Sequence, residues 1–199
     1  NEEFDFDGLS ANLSGWRKLT EDLRLHLSLA THFRSPDINE LFSDGLHHGS
    51  AALEFGDLTL KQERSYSLNA ALNYNHNRLR VQVEPYFHYF SDYIYLKPSG
   101  ETQLSIRGAF PVFNYVQTDA TYTGTDIDVR YRLASNWTAE ATAALLYVKD
   151  IKNDVFIFGI PAQQFRGKVK YTFAEKMGLH NGYWWIGSSY TTRQNRVEK

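Results

Sequence analysis

Between residues 22 and 33 the chain alternates. Leu23, Leu25, Leu27 and Leu29 fall on one side of an extended segment, and Arg24, His26 and Ser28 fall on the other. A period of two predicts a β-strand with one apolar face. Residues 6–19 also read as a strand, joined to it by a short turn over 19–22. The pattern returns at Tyr66, Leu68, Ala70, Leu72 and Tyr74, set against Ser65, Ser67, Asn69, Ala71 and Asn73. After a turn at 75–78, Leu79, Val81, Val83, Pro85, Phe87 and Tyr89 oppose Arg80, Gln82, Glu84, Tyr86 and His88. Pro85 has no N–H for a ladder and demands a bulge or a weakly paired position. Further on, Ile127, Val129 and Tyr131 oppose Asp126, Asp128, Arg130 and Arg132. Past a turn at 134–136, Trp137, Ala139, Ala141, Ala143, Leu145 and Tyr147 oppose Thr138, Glu140 and Thr142. Phe165, Gly167, Val169, Tyr171 and Phe173 then oppose Arg166, Lys168, Lys170 and Thr172. A turn over 174–182 precedes a last, weaker strand.

The sum is about eight strands and no sustained helix. A single helical turn is predicted near 36–42, with Ser35 as cap and Pro36 at the first helical position. Several strands hold ten or more residues, whereas globular strands usually hold about five or six. A tilted strand needs about 9–11 residues to cross a bilayer. The connections also alternate. Short turns near 20, 76, 135 and 178 interleave with long excursions over 34–62, 97–112 and 151–163, so short turns gather at one end of the sheet and long loops at the other. The expected fold is therefore all-β: a segment of an antiparallel, up-and-down transmembrane β-barrel with short periplasmic turns and long extracellular loops. The whole chain, 1–199, reads as one partial barrel domain. Trp137, Tyr74 and Tyr131 lie close to turns, where an interfacial aromatic girdle would sit. Alternation alone also fits a soluble β-sandwich with a dry inner face. Strand length and loop asymmetry favour the barrel.

Composition changes the picture little. The net charge is −2, which implies no nucleic acid. Cysteine is absent, so disulfides, thiolate metal sites and thiol nucleophiles are absent too. Aromatic residues make up 15% of the chain, which suits strands and a membrane boundary. The acidic start and abrupt end suggest a piece of a longer chain. Gly-x-Ser-x-Gly, phosphate-loop and His-Glu-x-x-His motifs are all missing. No enzyme and no cofactor are expected.

The long excursion carries the most specific signal. It reads Arg34-Ser35-Pro36, Glu40-Leu41-Phe42, Gly45-Leu46-His47-His48-Gly49, Glu54-Phe55-Gly56 and Leu60-Lys61-Gln62-Glu63-Arg64-Ser65. This order resembles the barrel of TonB-dependent outer-membrane receptors, as do the segments 113–133 and 159–173. The resemblance covers nearly all of the chain. It implies a barrel of about 22 strands filled by a plug, of which eight strands form a part with two open edges. It marks Arg34, Pro36, Glu40, Gly56 and Glu63 as structural motif residues. It also implies a location in the outer membrane of a Gram-negative bacterium, contact with outer-membrane lipid, and coupling to the TonB complex through the plug. The implied activity is energised uptake of an iron–siderophore, haem or other metal complex. A passive porin-like barrel is the alternative, together with a soluble sandwich acting as a binding module.

Imidazole is a common ligand of borderline metals, so His47 and His48 are the candidate ligand contacts. In this resemblance a His in that loop suggests haem or zinc receptors, although "GDLTL" lacks the Asn-Pro pair expected of haem receptors. The polar faces supply candidate lumen-lining residues: Arg24, His26, Arg80, Glu84, His88, Asp126, Asp128, Arg130, Arg166, Lys168 and Lys170. Asp126, Asp128 and Arg130 read as a salt-bridge ladder along one strand. His32, His76 and His180 read as solvated.

Overall fold

A computed structural model describes residues 5–176 and 179–196. Eight long strands form one antiparallel sheet in chain order: β1 (Ala11–Lys18), β2 (Leu23–Arg34), β5 (Glu63–His76), β6 (Leu79–Ser105), β7 (Gly108–Arg132), β8 (Trp137–Asp150), β10 (Gln164–Lys176) and β11 (Leu179–Thr191). Three short strands, β3 (Asp44–His47), β4 (Ala52–Phe55) and β9 (Val155–Phe156), and one helix, α1 (Ile38–Phe42), lie in the excursions. The sheet is a single open layer. β1 pairs only with β2, and β11 only with β10, among the described residues.

Register converts the sequence period into two faces. Directly opposed residues share a face, so one row runs Leu13, Leu29, Leu68, Phe87, Thr123, Tyr147 across six strands. Another runs Lys18, Arg24, Asn73, Gln82, Asp128, Thr142, Arg166, Ser189 across all eight. The apolar row is uncovered: Leu29 is 53% exposed and Leu68 46%. A sandwich would bury this face beneath a second sheet. Here the eight strands form one sheet, and that alternative falls.

Several local expectations need adjustment. Pro85 sits where the β5–β6 ladder breaks, between the pairs Asn69–Tyr86 and Leu72–Val83, while the β6–β7 ladder continues past it opposite Thr125. That is the weakly paired position its missing N–H requires. The excursion at 97–112 is no loose loop. β6 and β7 continue as a protruding hairpin, with register shifts after Phe90 and after Pro98. Asp92, in the first shift, has φ 55°, a left-handed conformation that Asp tolerates. The helix starts two residues later than expected. Its N-cap is Asp37, whose N–H donates to Glu40 Oε2 at 2.7 Å, so Pro36 and Ser35 precede the helix. The turn expected over 174–182 is much tighter, since β10 runs to Lys176 and β11 begins at Leu179.

The buried cores lie at the loop end. Leu41, Leu60 and Ile94 pack beneath the first excursion, with Tyr115 against them. Ala120, Val148 and Ile157 pack beneath the third, flanked by Phe90, Tyr93 and Tyr122. The first and third excursions therefore each have an apolar anchor on the sheet.

Candidate functional site

The first excursion is built around Arg34 at the end of β2. Its guanidinium donates to Glu40 at 2.7 Å and to Glu63 at 3.1 Å. Glu63 Oε2 also accepts the Ile94 N–H at 3.0 Å, which ties the same node to β6. Pro36 is buried beside it. Gly56 closes against the end of α1, where a Cβ would lie 2.6 Å from the Leu41 carbonyl carbon and oxygen. Its N–H donates to the Ser43 carbonyl at 2.7 Å. Arg34, Pro36, Glu40, Gly56 and Glu63 thus meet at one place, though they span 34–63 in sequence. β4 then pairs in parallel with β7, Leu53 opposite Val112, and presents the β3–β4 hairpin at the loop end.

His47 and His48 sit at the tip of that hairpin, both exposed. His47 Nδ1 lies 3.2 Å from Ser50 Oγ and 3.7 Å from Glu54 Oε1. Ser50 Oγ also lies 2.7 Å from Glu54 Oε1 and donates to it. Glu54, part of the sequence motif but given no role there, is buried; it stands opposite Gly45, which sets it diagonally across the hairpin from His47. Among the described residues, no three His, Cys, Asp or Glu side chains converge as a metal site.

The register brings all eleven polar candidates to one face. Arg24, His26, Arg80, Glu84, His88, Asp126, Asp128, Arg130, Arg166, Lys168 and Lys170 share it, with Glu84 opposite Asp126 and Arg80 opposite Arg130. A groove of about 460 Å³ runs along it between Glu84, Asp126, Asp128 and Arg166. The expected ladder within β7 does not form. Arg130 pairs across to Glu140 at 2.9 Å, and Lys168 reaches the same carboxylate at 2.7 Å. A directly opposed residue has its Cβ about 5 Å away, nearer than a same-face neighbour two places along the strand. Glu140 therefore outcompetes Asp126 and Asp128 for Arg130. His88 Nε2 lies 2.9 Å from Asn69 Oδ1.

His32 and His76 are exposed, as expected, and each also has a polar partner. His76 Nδ1 lies 2.6 Å from Asp22 Oδ2, clasping two adjacent short turns, and His32 Nδ1 lies 2.9 Å from Ser10 Oγ. The side chain of His180 lies outside the described residues.

Aromatic side chains band the apolar face at both ends. At the short-turn end Trp137, Tyr171 and Trp184 cluster, with Trp137 and Trp184 centroids 5.2 Å apart. Tyr74 and Tyr131 stand on the same face at that end, opposite Val81 and Ala139. At the loop end Tyr66 and Tyr89 lie 6.3 Å apart. Tyr66 and Tyr74 are eight residues apart in one strand, or about 26 Å along it. Among the described side chains, Arg17, Arg64 and Lys149 are charges on this face, each near a strand end.

At the loop end of β8, Asp150 organises the third excursion. It accepts Thr118 Oγ1–H at 2.7 Å, the Asn153 N–H at 3.1 Å and Asn153 Nδ2–H at 2.7 Å. Burial opposes its ionisation, but these donors outweigh burial and hold its pKa below the ordinary carboxylate range. A depressed folded value stabilises the turn fully above the unfolded value of about 4. That stabilisation is lost as pH falls through the lower folded value. Pepsin cleavage near 155–158 should therefore begin only below about pH 4 in the native chain. In Asp150→Asn, cleavage normalised to pepsin's rate on an unfolded substrate at each pH should stay constant across the acid range. Identical profiles would refute the role of the carboxylate.

An uncovered, apolar-faced sheet of long strands, with short turns at one end and ordered loops at the other, is the wall of a transmembrane-type β-barrel. The family described as "TonB dependent receptor-like, beta-barrel" matches residues 3–199. The chain belongs to that family, a family of receptor barrels rather than enzymes. Solved structures agree on the fold. "Copper transporter OprC" is 22% identical with a TM-score of 0.73, over 96% of this chain and 27% of that one. The siderophore receptor PirA from Pseudomonas aeruginosa is 11% identical with a TM-score of 0.54, over 91% of this chain and 42% of that one. The FrpB iron transporter from Neisseria meningitidis is 16% identical with a TM-score of 0.54, over 83% and 24%. The chain thus spans well under half the length of these relatives.

Proposed function

We propose that the chain is part of the wall of an outer-membrane receptor in a Gram-negative bacterium that takes up a scarce metal complex, energised through TonB. The carrying observation is the family match over residues 3–199. The two faces support it. The apolar face, with aromatic girdles about 26 Å apart along β5, suits the band of about 25 Å that a barrel presents to lipid. The polar face, with its eleven charged and imidazole side chains, then lines the lumen. The similar structures are titled as transporters of copper or iron and as siderophore receptors, which favours an iron–siderophore, haem or another metal complex as cargo. On this reading His47 and His48, exposed at the tip of the β3–β4 hairpin, touch a chelated metal that brings most of its own ligands; their exposure at the loop end supports it.

The test is uptake by cells carrying the intact receptor gene and by cells deleted for it, supplied with a labelled ferric siderophore, haemin or a labelled copper complex. Accumulation should require the gene and should stop when the proton gradient is collapsed. Gene-dependent accumulation that survives collapse of the gradient would replace this reading with the passive porin-like one.

A further inference from the structure

At the short-turn end of the polar face, five cations border one small groove that a single carboxylate shares. Arg80 stands directly opposite Arg130, and Arg132 is next along β7 on the same face. Arg78 lies beside Arg132, whose N–H donates to the Arg78 carbonyl at 2.8 Å. Lys170 completes the rim of a groove of about 210 Å³. One carboxylate, Glu140, borders this groove, and it is already shared by Arg130 at 2.9 Å and Lys168 at 2.7 Å. Arg80 and Arg130 also line the neighbouring groove, with Arg24 and three carboxylates; there Glu21 is taken by Lys18 and Asp22 by His76, while Asp128 makes no ion pair within 4.0 Å among the described residues. Arg80 and Arg132 likewise have no ion-pair partner among the described residues. Lys170 lies 4.2 Å from the centre of the Tyr183 ring. Arg78 reaches only the Leu133 carbonyl, at 3.5 Å.

Like charges directly opposed across a ladder are destabilising. Inside a barrel, with low-dielectric walls, the repulsion is stronger than at an open surface. Arginine forks also match carboxylate and phosphate oxygens in a fixed planar geometry. We propose that Arg78, Arg80, Arg130, Arg132 and Lys170 form an anion-binding site at the short-turn mouth of the lumen, filled in the working receptor by carboxylate or phosphate groups. The inference rests on the polar face lining the lumen and names the chemistry that fills one end of it. Two sources can supply the anion. The similar structures are far longer than this chain, so acidic residues elsewhere in the same receptor can reach it. An anionic cargo leaving through the mouth can occupy it instead.

The two alternatives, occupied site and bare repulsion, differ in sign. The experiment compares thermal unfolding of the detergent-solubilised full-length receptor with that of its Arg80→Gln/Arg132→Gln variant, at low and high salt, with and without citrate. If the receptor's own acidic residues fill the site, the variant unfolds several degrees lower at low salt, and high salt closes the gap. If a free anion fills it, citrate raises the midpoint of the native receptor and leaves the variant unmoved. A variant that equals or exceeds the native receptor, with no response to citrate, means that the cluster only repels itself, and the site is refuted. A receptor that stays monodisperse without detergent refutes the membrane reading itself, and with it the lumen on which the site depends.

Discussion

Replacing Arg34 by alanine is expected to free the 34–62 excursion from the sheet. The side chain joins three elements: Glu40 in α1 at 2.7 Å, Glu63 in β5 at 3.1 Å and, through Glu63, the Ile94 N–H of β6 at 3.0 Å. The Glu40 and Glu63 side chains are only 13% and 10% exposed. Without the guanidinium, two nearly buried carboxylates face each other with no cation. Breaking one side of a buried pair costs about 3–5 kcal/mol. Arg34 is itself partly exposed, which places the expected loss near the lower bound, about 3 kcal/mol. Arg34→Lys should recover only part of that, because an ammonium cannot bridge two carboxylates with a planar fork. Limited trypsin digestion at Lys61, with hydrogen exchange over 37–62, measures the effect on the intact receptor. Undiminished protection in the alanine variant would mean that Leu41, Leu60 and Ile94 hold the excursion alone.

That node shows which parts of the molecule the sequence makes legible. Both faces of the sheet are readable from single residues, because a strand's side-chain period is two and each face has a different solvent. Leu25 and His26 declare their sides without any knowledge of their neighbours. The node is different. Arg34, Glu40, Gly56 and Glu63 reveal their order in sequence, but Arg34 meets Glu63 because the β2–β5 register sets them directly opposite, and Gly56 meets the end of α1 through the Ser43 carbonyl, contacts between distant residues that no local period encodes. Pairing partners are equally hidden. Arg130 sits two residues from Asp128 in sequence, yet it bonds Glu140 because strand register sets that distance. The hairpin at 97–112 was obscured by Pro98, Gly100 and Pro111, which are breakers in a central strand. Pro98 is followed by a register shift, and the hairpin beyond it protrudes past the neighbouring strands, where missing donors cost little.

Gly124→Ala is the second large effect expected, and it bears on the polar face that the proposed function assigns to the lumen. Gly124 lies opposite Tyr86 in β6 and opposite Leu146 in β8. A methyl group there would collide with the Tyr86 ring and hydroxyl and with the Leu145 carbonyl oxygen. The tyrosine therefore lies flat in space that a side chain at 124 would fill, with its ring 5.4 Å from that of His88. The ring can rotate away, but the Leu145 carbonyl belongs to the backbone of β8 and moves only with the strand. Overpacking of this kind costs about 1–3 kcal/mol. Tyr86→Ala combined with Gly124→Ala should be less destabilising than the sum of the two single changes, since the residues share one volume. Unfolding of the intact receptor in detergent measures all three. Strict additivity would show that Tyr86 is no part of the obstacle. Coupling would mean that the glycine is there to let the tyrosine lie against the sheet; if that face lines the lumen, as proposed, Gly124→Ala pushes the ring inward and should slow uptake by the intact receptor more than its stability cost accounts for.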